Sequence, residues 1–285
     1  MIRAIVLVIV VAVAAEAQAL EISDDRGVTI SLGSPAERIV ALAPHLAEIA
    51  FAVGAGPRLV GVSSFSRHPA EATRLPVVAT YGRVDIERLI ALRPDLVLAW
   101  RSGNSPLQID RLQRLGIRVF VTEVRSLADI PRIVREVGAL AGSGELAEAR
   151  ARDFEGEVDR LRGSYASRRR IDVFLEIWHR PMLTVSGAHL ISDALGLCGG
   201  RNVFAAARTL TPLVSKERIL DARPEAIVTS GFGSEALPAW KGFESVPAVR
   251  NRRIYAIDPE TLHAQGLRVL EGVRTLCQRL ELARH

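Results

Sequence analysis

The 285-residue sequence holds only two lysines, Lys216 and Lys241, so its formal charge of +5 rests almost wholly on arginine. Those arginines are dispersed among acids, and the one dense run, Arg168-Arg169-Arg170, reads as a solvated helix end. No basic stripe interleaved with aromatics is present, which argues against a nucleic-acid partner. Catalytic signatures are missing too: there is no G-x-S-x-G elbow, no Walker loop, no H-E-x-x-H and no C-x-x-C. Gly103 and Gly231-Phe232-Gly233 are loop glycines without dinucleotide spacing. His45, His68, His179, His189 and His263 are scattered, none at the i, i+4 spacing of a preformed metal site. The expectation is a protein that is not an enzyme and carries no cofactor or metal of its own.

Cysteine is confined to Cys198 and Cys277. In an oxidising compartment two such cysteines tend to pair, the alternative being two buried free thiols. A bridge closes a loop of roughly 80 residues, for which the chain-entropy model gives about 4 to 5 kcal/mol. Long apolar runs are also absent, apart from Ile5 to Ala15. Arg3 precedes that run and Ala17-Gln18-Ala19 follows it, a small-x-small cleavage pattern. The run is too short for a comfortable membrane span, and the chain turns polar at Glu21. Residues 1–19 are expected to be a secretory signal peptide cut after Ala19. No cysteine follows the run, so no lipoprotein anchor is expected.

What is present is a repeat. The stretch from Glu87 to Leu98, ERLIALRPDLVL, recurs lightly altered from Glu217 to Val228 as ERILDARPEAIV. In each copy a polar cap, Asp85 or Ser215, opens a short helix, an Arg-Pro pair ends it, and a buried strand follows. A glutamate therefore stands in the first helical turn of two similar α/β lobes. One such glutamate is ordinary, because the helix dipole favours it by roughly 0.3 to 1 kcal/mol. A matched pair, Glu87 and Glu217, points to a partner that grips both lobes through two arginine sites.

Around the repeat, strands alternate with helices. Strands are read at 39–43, 59–62, 96–99, 118–121, 171–177, 226–229 and 253–257. Helices are read at 45–53, 86–92, 106–115, 127–140, 188–197, 216–222 and 267–283. The stretch from Glu145 to about Ser167 has no proline and is rich in Ala, Glu and Arg, which predicts one long helix of about 30 Å. The fold expected is α/β: two Rossmann-like lobes with mostly parallel sheets, at 20–141 and 170–285, joined by a rigid helix within 142–169. In such sheets ligands bind beyond the carboxyl ends of the strands. Aromatic residues make up only 5% of the chain, yet Phe65, Trp100, Trp178, His179 and Trp240 all follow predicted strands, and Tyr81 precedes a repeat helix. Such rings suit a broad, partly apolar ligand held between the lobes.

These residues resemble the periplasmic cobalamin-binding proteins of ABC importers, and more broadly the helical-backbone (class III) binding proteins for cobalamin, ferric siderophores and haem. The resemblance spans nearly all of the mature chain. It is carried by Arg38-Ile39-Val40-Ala41-Leu42-Ala43-Pro44, Gly61-Val62-Ser63-Ser64-Phe65-Ser66, Pro94 to Asn104, Cys198-Gly199-Gly200-Arg201-Asn202-Val203-Phe204 and Val214-Ser215-Lys216-Glu217-Arg218. It implies a periplasmic, monomeric receptor that takes cobalamin or a related corrinoid and docks on an inner-membrane permease dimer through Glu87 and Glu217. It further implies a Cys198–Cys277 disulfide and a corrin cleft lined by Trp100, with Phe65, Tyr81, Trp178 and Trp240 at or near other cleft aromatics. The segments from Ile177 to Pro181 and from Asp258 to His263 depart from the cobalamin binders. His179 and His263 are thus candidates to meet a cobalt or iron centre, which keeps haem and ferric siderophores open. Two alternatives remain beside it: a zinc or manganese receptor of the same importer superfamily, and a two-domain secreted enzyme acting on a tetrapyrrole.

Overall fold

The computed structural model describes residues 20–80, 82–231 and 240–285. The expected signal peptide, Tyr81, Phe232 and Gly233 lie outside the described residues. The described residues open with a hairpin that the sequence reading passed over, Leu20–Ser23 (β1) paired antiparallel with Thr29–Leu32 (β2). Its turn is organised by the buried Asp24 carboxylate, which accepts from the backbone N–H groups of Arg26, Val28 and Val121 and pairs with the Arg26 guanidinium.

The first lobe runs through Ile39–Ala41 (β3), Pro44–Ala52 (α1), Leu59–Ser63 (β4), Val77–Thr80 (β5), Arg83–Val84 (β6), Ile86–Ala91 (α2), Leu96–Trp100 (β7), Pro106–Arg114 (α3), Val119–Thr122 (β8) and Asp129–Leu140 (α4). Its sheet has the order β6-β5-β4-β3-β7-β8 and is parallel except at β5–β6. Strands β3, β7 and β8 are apolar without alternation and buried almost throughout. That is the pattern of a parallel sheet covered on both faces.

The second lobe follows Gly144–Tyr165 (α5). It contains Ile171–Glu176 (β9), Leu190–Leu197 (α6), Gly200–Asn202 (β10), Lys216–Ala222 (α7), Ala226–Thr229 (β11), Pro247–Arg250 (α8), Ile254–Ala256 (β12), Pro259–Leu262 (α9) and Val269–Arg284 (α10). Its sheet, β10-β9-β11-β12, is wholly parallel. A disulfide joins Cys198, at the C-cap of α6, to Cys277 on α10.

Helix α5, with 22 residues, extends about 33 Å at 1.5 Å per residue. It packs on α4 from the first lobe and on α6 and α10 from the second. The α4 contact is close because its facing residues are small. A Cβ added at Gly138 would lie 2.1 Å from the Ala147 Cβ, and Ala147 and Ala151 are fully buried. Arg135 on α4 fastens the outer side of the seam, with 2.6 Å contacts to both Glu148 and Glu155 on α5.

The sequence repeat is also a structural repeat. The Asp85 carboxylate accepts from the Arg88 N–H at 3.0 Å, and the Ser215 hydroxyl accepts from the Arg218 N–H at 3.4 Å. Both helices stop at an arginine in the left-handed region, Arg93 with φ 47° and Arg223 with φ 46°. The acidic residue two places on then fixes a neighbouring strand. Asp95 accepts from the Glu37 and Arg38 N–H groups before β3, and Glu225 accepts from the Asp172 N–H in β9.

Candidate ligand cleft

A cleft of about 1020 Å³ opens where the strand ends of the two sheets face each other. Pro44 follows β3, Phe65 follows β4 and Trp100 ends β7, while Trp178 follows β9 and Pro259 and Glu260 follow β12. The volume is at the upper end of ordinary small-molecule sites. The cleft therefore suits a large ligand.

Each ring on the wall is placed by local chemistry. The Asn104 side chain accepts from the Trp100 N–H at 2.7 Å and donates to the Leu42 carbonyl at 3.1 Å, tying the end of β7 to the end of β3. The indole lies against Gly103, where any Cβ would fall 1.8 Å from the ring. Its other neighbour is His45 on α1, met edge-on with ring centroids 5.6 Å apart. Phe65 has φ 67°, a costly backbone conformation for a side chain that branches into a ring. The turn is held by the buried hydroxyl pair Ser63–Ser66 at 3.2 Å, and it leaves Phe65 69% exposed. Trp178 is half-exposed, with its indole N–H donating to the Arg180 carbonyl at 2.9 Å.

Two of the rings predicted for this wall do other work. Trp240 is 1% exposed and packs against Phe174 and Phe243 in the second lobe. His179 is absent from the cleft wall as well. The reason is Glu176, a carboxylate buried at the end of β9 that must be hydrogen-bonded to be tolerated there. It accepts from the Trp240 indole N–H at 3.0 Å and meets His179 Nδ1 at 2.8 Å. Tyr81 lies outside the described residues.

His263 does line the cleft, its Nε2 2.7 Å from the Ser230 hydroxyl. Burial lowers its pKa to about 4, and burial lowers that of His45 to about 3, so both imidazoles are neutral at physiological pH. Sequence reasoning missed the charged part of the wall: Glu48, Arg67, His68 and Arg268. Arg67 lies 3.5 Å from Glu260 and 5.6 Å from the Phe65 ring centroid, and Arg268 lies 3.4 Å from Glu48. Burial raises the Glu48 pKa, while Arg268 and His68 pull it back. Five buried side-chain atoms lack a hydrogen-bond partner among the described residues, and four belong to the wall: His45 Nε2, Glu48 Oε2, Trp100 Nε1 and Gln265 Oε1.

Outside the cleft, Glu87 and Glu217 are both exposed in the first turns of α2 and α7. Neither forms an ion pair among the described residues. The Ser215 hydroxyl helps hold the Glu217 carboxyl below the usual range. No group of three or more His, Cys, Asp or Glu side chains among the described residues stands close enough to hold a metal ion.

Residues 39–261 match the periplasmic binding protein family. The chain is 34% identical over 250 residues to a vitamin B12-binding protein of Vibrio cholerae, covering 87% of this chain and 91% of that one. The crystal structure of a periplasmic vitamin B12-binding protein from Vibrio cholerae superposes with a TM-score of 0.81 at 34% identity, covering 87% of this chain and 98% of that one. A periplasmic haem-binding protein from Pseudomonas aeruginosa superposes with a TM-score of 0.75 at 26% identity, over 85% and 91% of the two chains. With its two mostly parallel sheets, its helical spine and its cleft at the strand ends, the chain belongs to the periplasmic binding protein family.

Proposed function

We propose that this protein captures cobalamin or a related corrinoid between its lobes in the periplasm and delivers it to an inner-membrane ABC permease. The observation that carries the reading is the gathering of Phe65, Trp100 and Trp178 around one cleft of about 1020 Å³ between the two sheets. Flat rings match a rigid macrocycle by contact area. The vitamin B12-binding relatives at 34% identity support the same ligand.

Equilibrium dialysis of the purified chain without residues 1–19 tests this: cyanocobalamin should be retained at one molecule per chain and at micromolar or lower concentration. Retention of haemin instead would move the ligand to iron tetrapyrroles, the alternative that the haem-binding relative and the neutral cleft histidines support.

Docking is assigned to Glu87 and Glu217, which occupy equivalent first-turn positions of the structural repeat and present exposed carboxylates. Glu87→Ala combined with Glu217→Ala should leave the dissociation constant for cyanocobalamin unchanged within about twofold and cut uptake in a transport assay by more than tenfold. Parallel loss of affinity and uptake would assign both residues to the cleft or the fold. The secretory leader, residues 1–19 ending in Ala17-Gln18-Ala19, is taken to place the chain in the periplasm.

A further inference from the structure

Two arginines line the cleft, and each is occupied by a glutamate from far along the chain. Arg67, in the loop after β4, meets Glu260 on α9 at 3.5 Å, and His68 Nε2 lies 3.9 Å from the other oxygen of the same carboxylate. Arg268, just before α10, meets Glu48 on α1 at 3.4 Å. Both pairs join a residue of the first lobe to one of the second, and all four residues are on the wall. The two arginines and the two glutamates thus pair off, positive against negative, across the cleft. The compensation at Glu48 is incomplete, since its Oε2 is buried without a partner and burial raises its pKa.

A macrocycle fringed with uncharged amides meets no electrostatic penalty at such a wall. A macrocycle carrying carboxylates has a different choice. It must displace Glu48 and Glu260 from their arginines, or set its own negative charge beside theirs in a partly desolvated site. Freed of the glutamates, the same two arginines would be well suited to a pair of propionates.

We infer that Glu48 and Glu260 are specificity-determining residues that mask Arg268 and Arg67, so that the cleft selects uncharged, amide-bearing tetrapyrroles over carboxylate-bearing ones. This rests on the corrinoid reading for the accepted ligand, and adds the device that rejects its competitor. It also assigns work to cleft residues that the family resemblance left out.

The test compares dissociation constants for cyanocobalamin and haemin in the wild type, Glu260→Gln, and Glu48→Gln with Glu260→Gln. Glutamine keeps the shape and an acceptor oxygen and removes the charge. The ratio of haemin affinity to cyanocobalamin affinity should rise about threefold in the single variant and at least tenfold in the double variant. Adding Arg67→Gln and Arg268→Gln should abolish the rise. Because Glu260 is half-exposed, the single variant keeps the test alive if the double variant fails to fold. An unchanged ratio, or a rise that survives loss of both arginines, would overturn the inference. Failure of the corrinoid reading shows separately, as a wild type that prefers haemin before any residue is changed.

Discussion

Glu176 is the buried carboxyl group around which the second lobe arranges its rings, meeting Trp240 Nε1 at 3.0 Å and His179 Nδ1 at 2.8 Å. Trp240→Phe keeps most of the apolar volume and removes one donor. The cost expected is that of a weakened buried hydrogen bond, about 1 to 3 kcal/mol, read as a lower urea midpoint with unchanged slope. Affinity for cyanocobalamin should not follow, since Trp240 has no face on the cleft. Residue-scale chemistry also sets a pH dependence. His45 has a folded pKa of about 3 against an ordinary value of 6.5. Between those values the unfolded chain binds a proton that the native chain does not, so stability falls as pH drops from about 6.5. At pH 5 the loss is on the order of 2 kcal/mol from this one residue. His45→Gln should flatten the fall in melting temperature between pH 7 and pH 5. An identical slope in both proteins would contradict the burial argument.

At the scale of elements, the α4–α5 seam is the joint on which lobe spacing depends. Gly138→Ala places a methyl 2.1 Å from the Ala147 Cβ, with helix backbone behind it, so the helices must part. Overpacking of this kind costs about 1 to 3 kcal/mol, visible as a drop in thermal midpoint. The elements themselves were largely legible in the sequence. Helix α7 and strand β11 match their predicted ranges, and the long helix between the lobes was readable from its run without proline. Hairpin β1–β2 and strands β5, β6 and β10 were not read: LEIS and TISL alternate apolar with polar residues, and RV and GRN offer no apolar run of the kind that marks the short β11. The predicted helix start at Ala188 moves to Leu190, because His189 turns its ring back to cap the Ile191 N–H. At the cleft, Trp100 was legible from its place at a strand end. The different fate of Trp240 was not, since Glu176 stands 64 residues away in sequence. The charged wall was hidden for the same reason: Glu48 and Arg268 are 220 residues apart.

At the scale of the whole molecule, one core runs through both lobes. The largest buried cluster includes Leu46 and Ile49 of α1, Phe154 of α5, Val173 of β9 and Leu276 of α10. Two lobes tied through such a core, and through cross-lobe pairs at the cleft, leave little room for large hinge motion. The cleft should accordingly be formed before ligand arrives, with Trp100 held in position by local contacts such as that to Asn104. The central claim is that rings from opposite lobes grip one ligand together. Titration calorimetry with cyanocobalamin on the wild type, Trp100→Ala, Trp178→Ala and the double variant tests this most directly. Saturation at one ligand per chain is expected, with affinity falling about tenfold or more for each ring lost, the order of magnitude of one large aromatic contact. Tight binding in the wild type that survives removal of both rings would contradict the account.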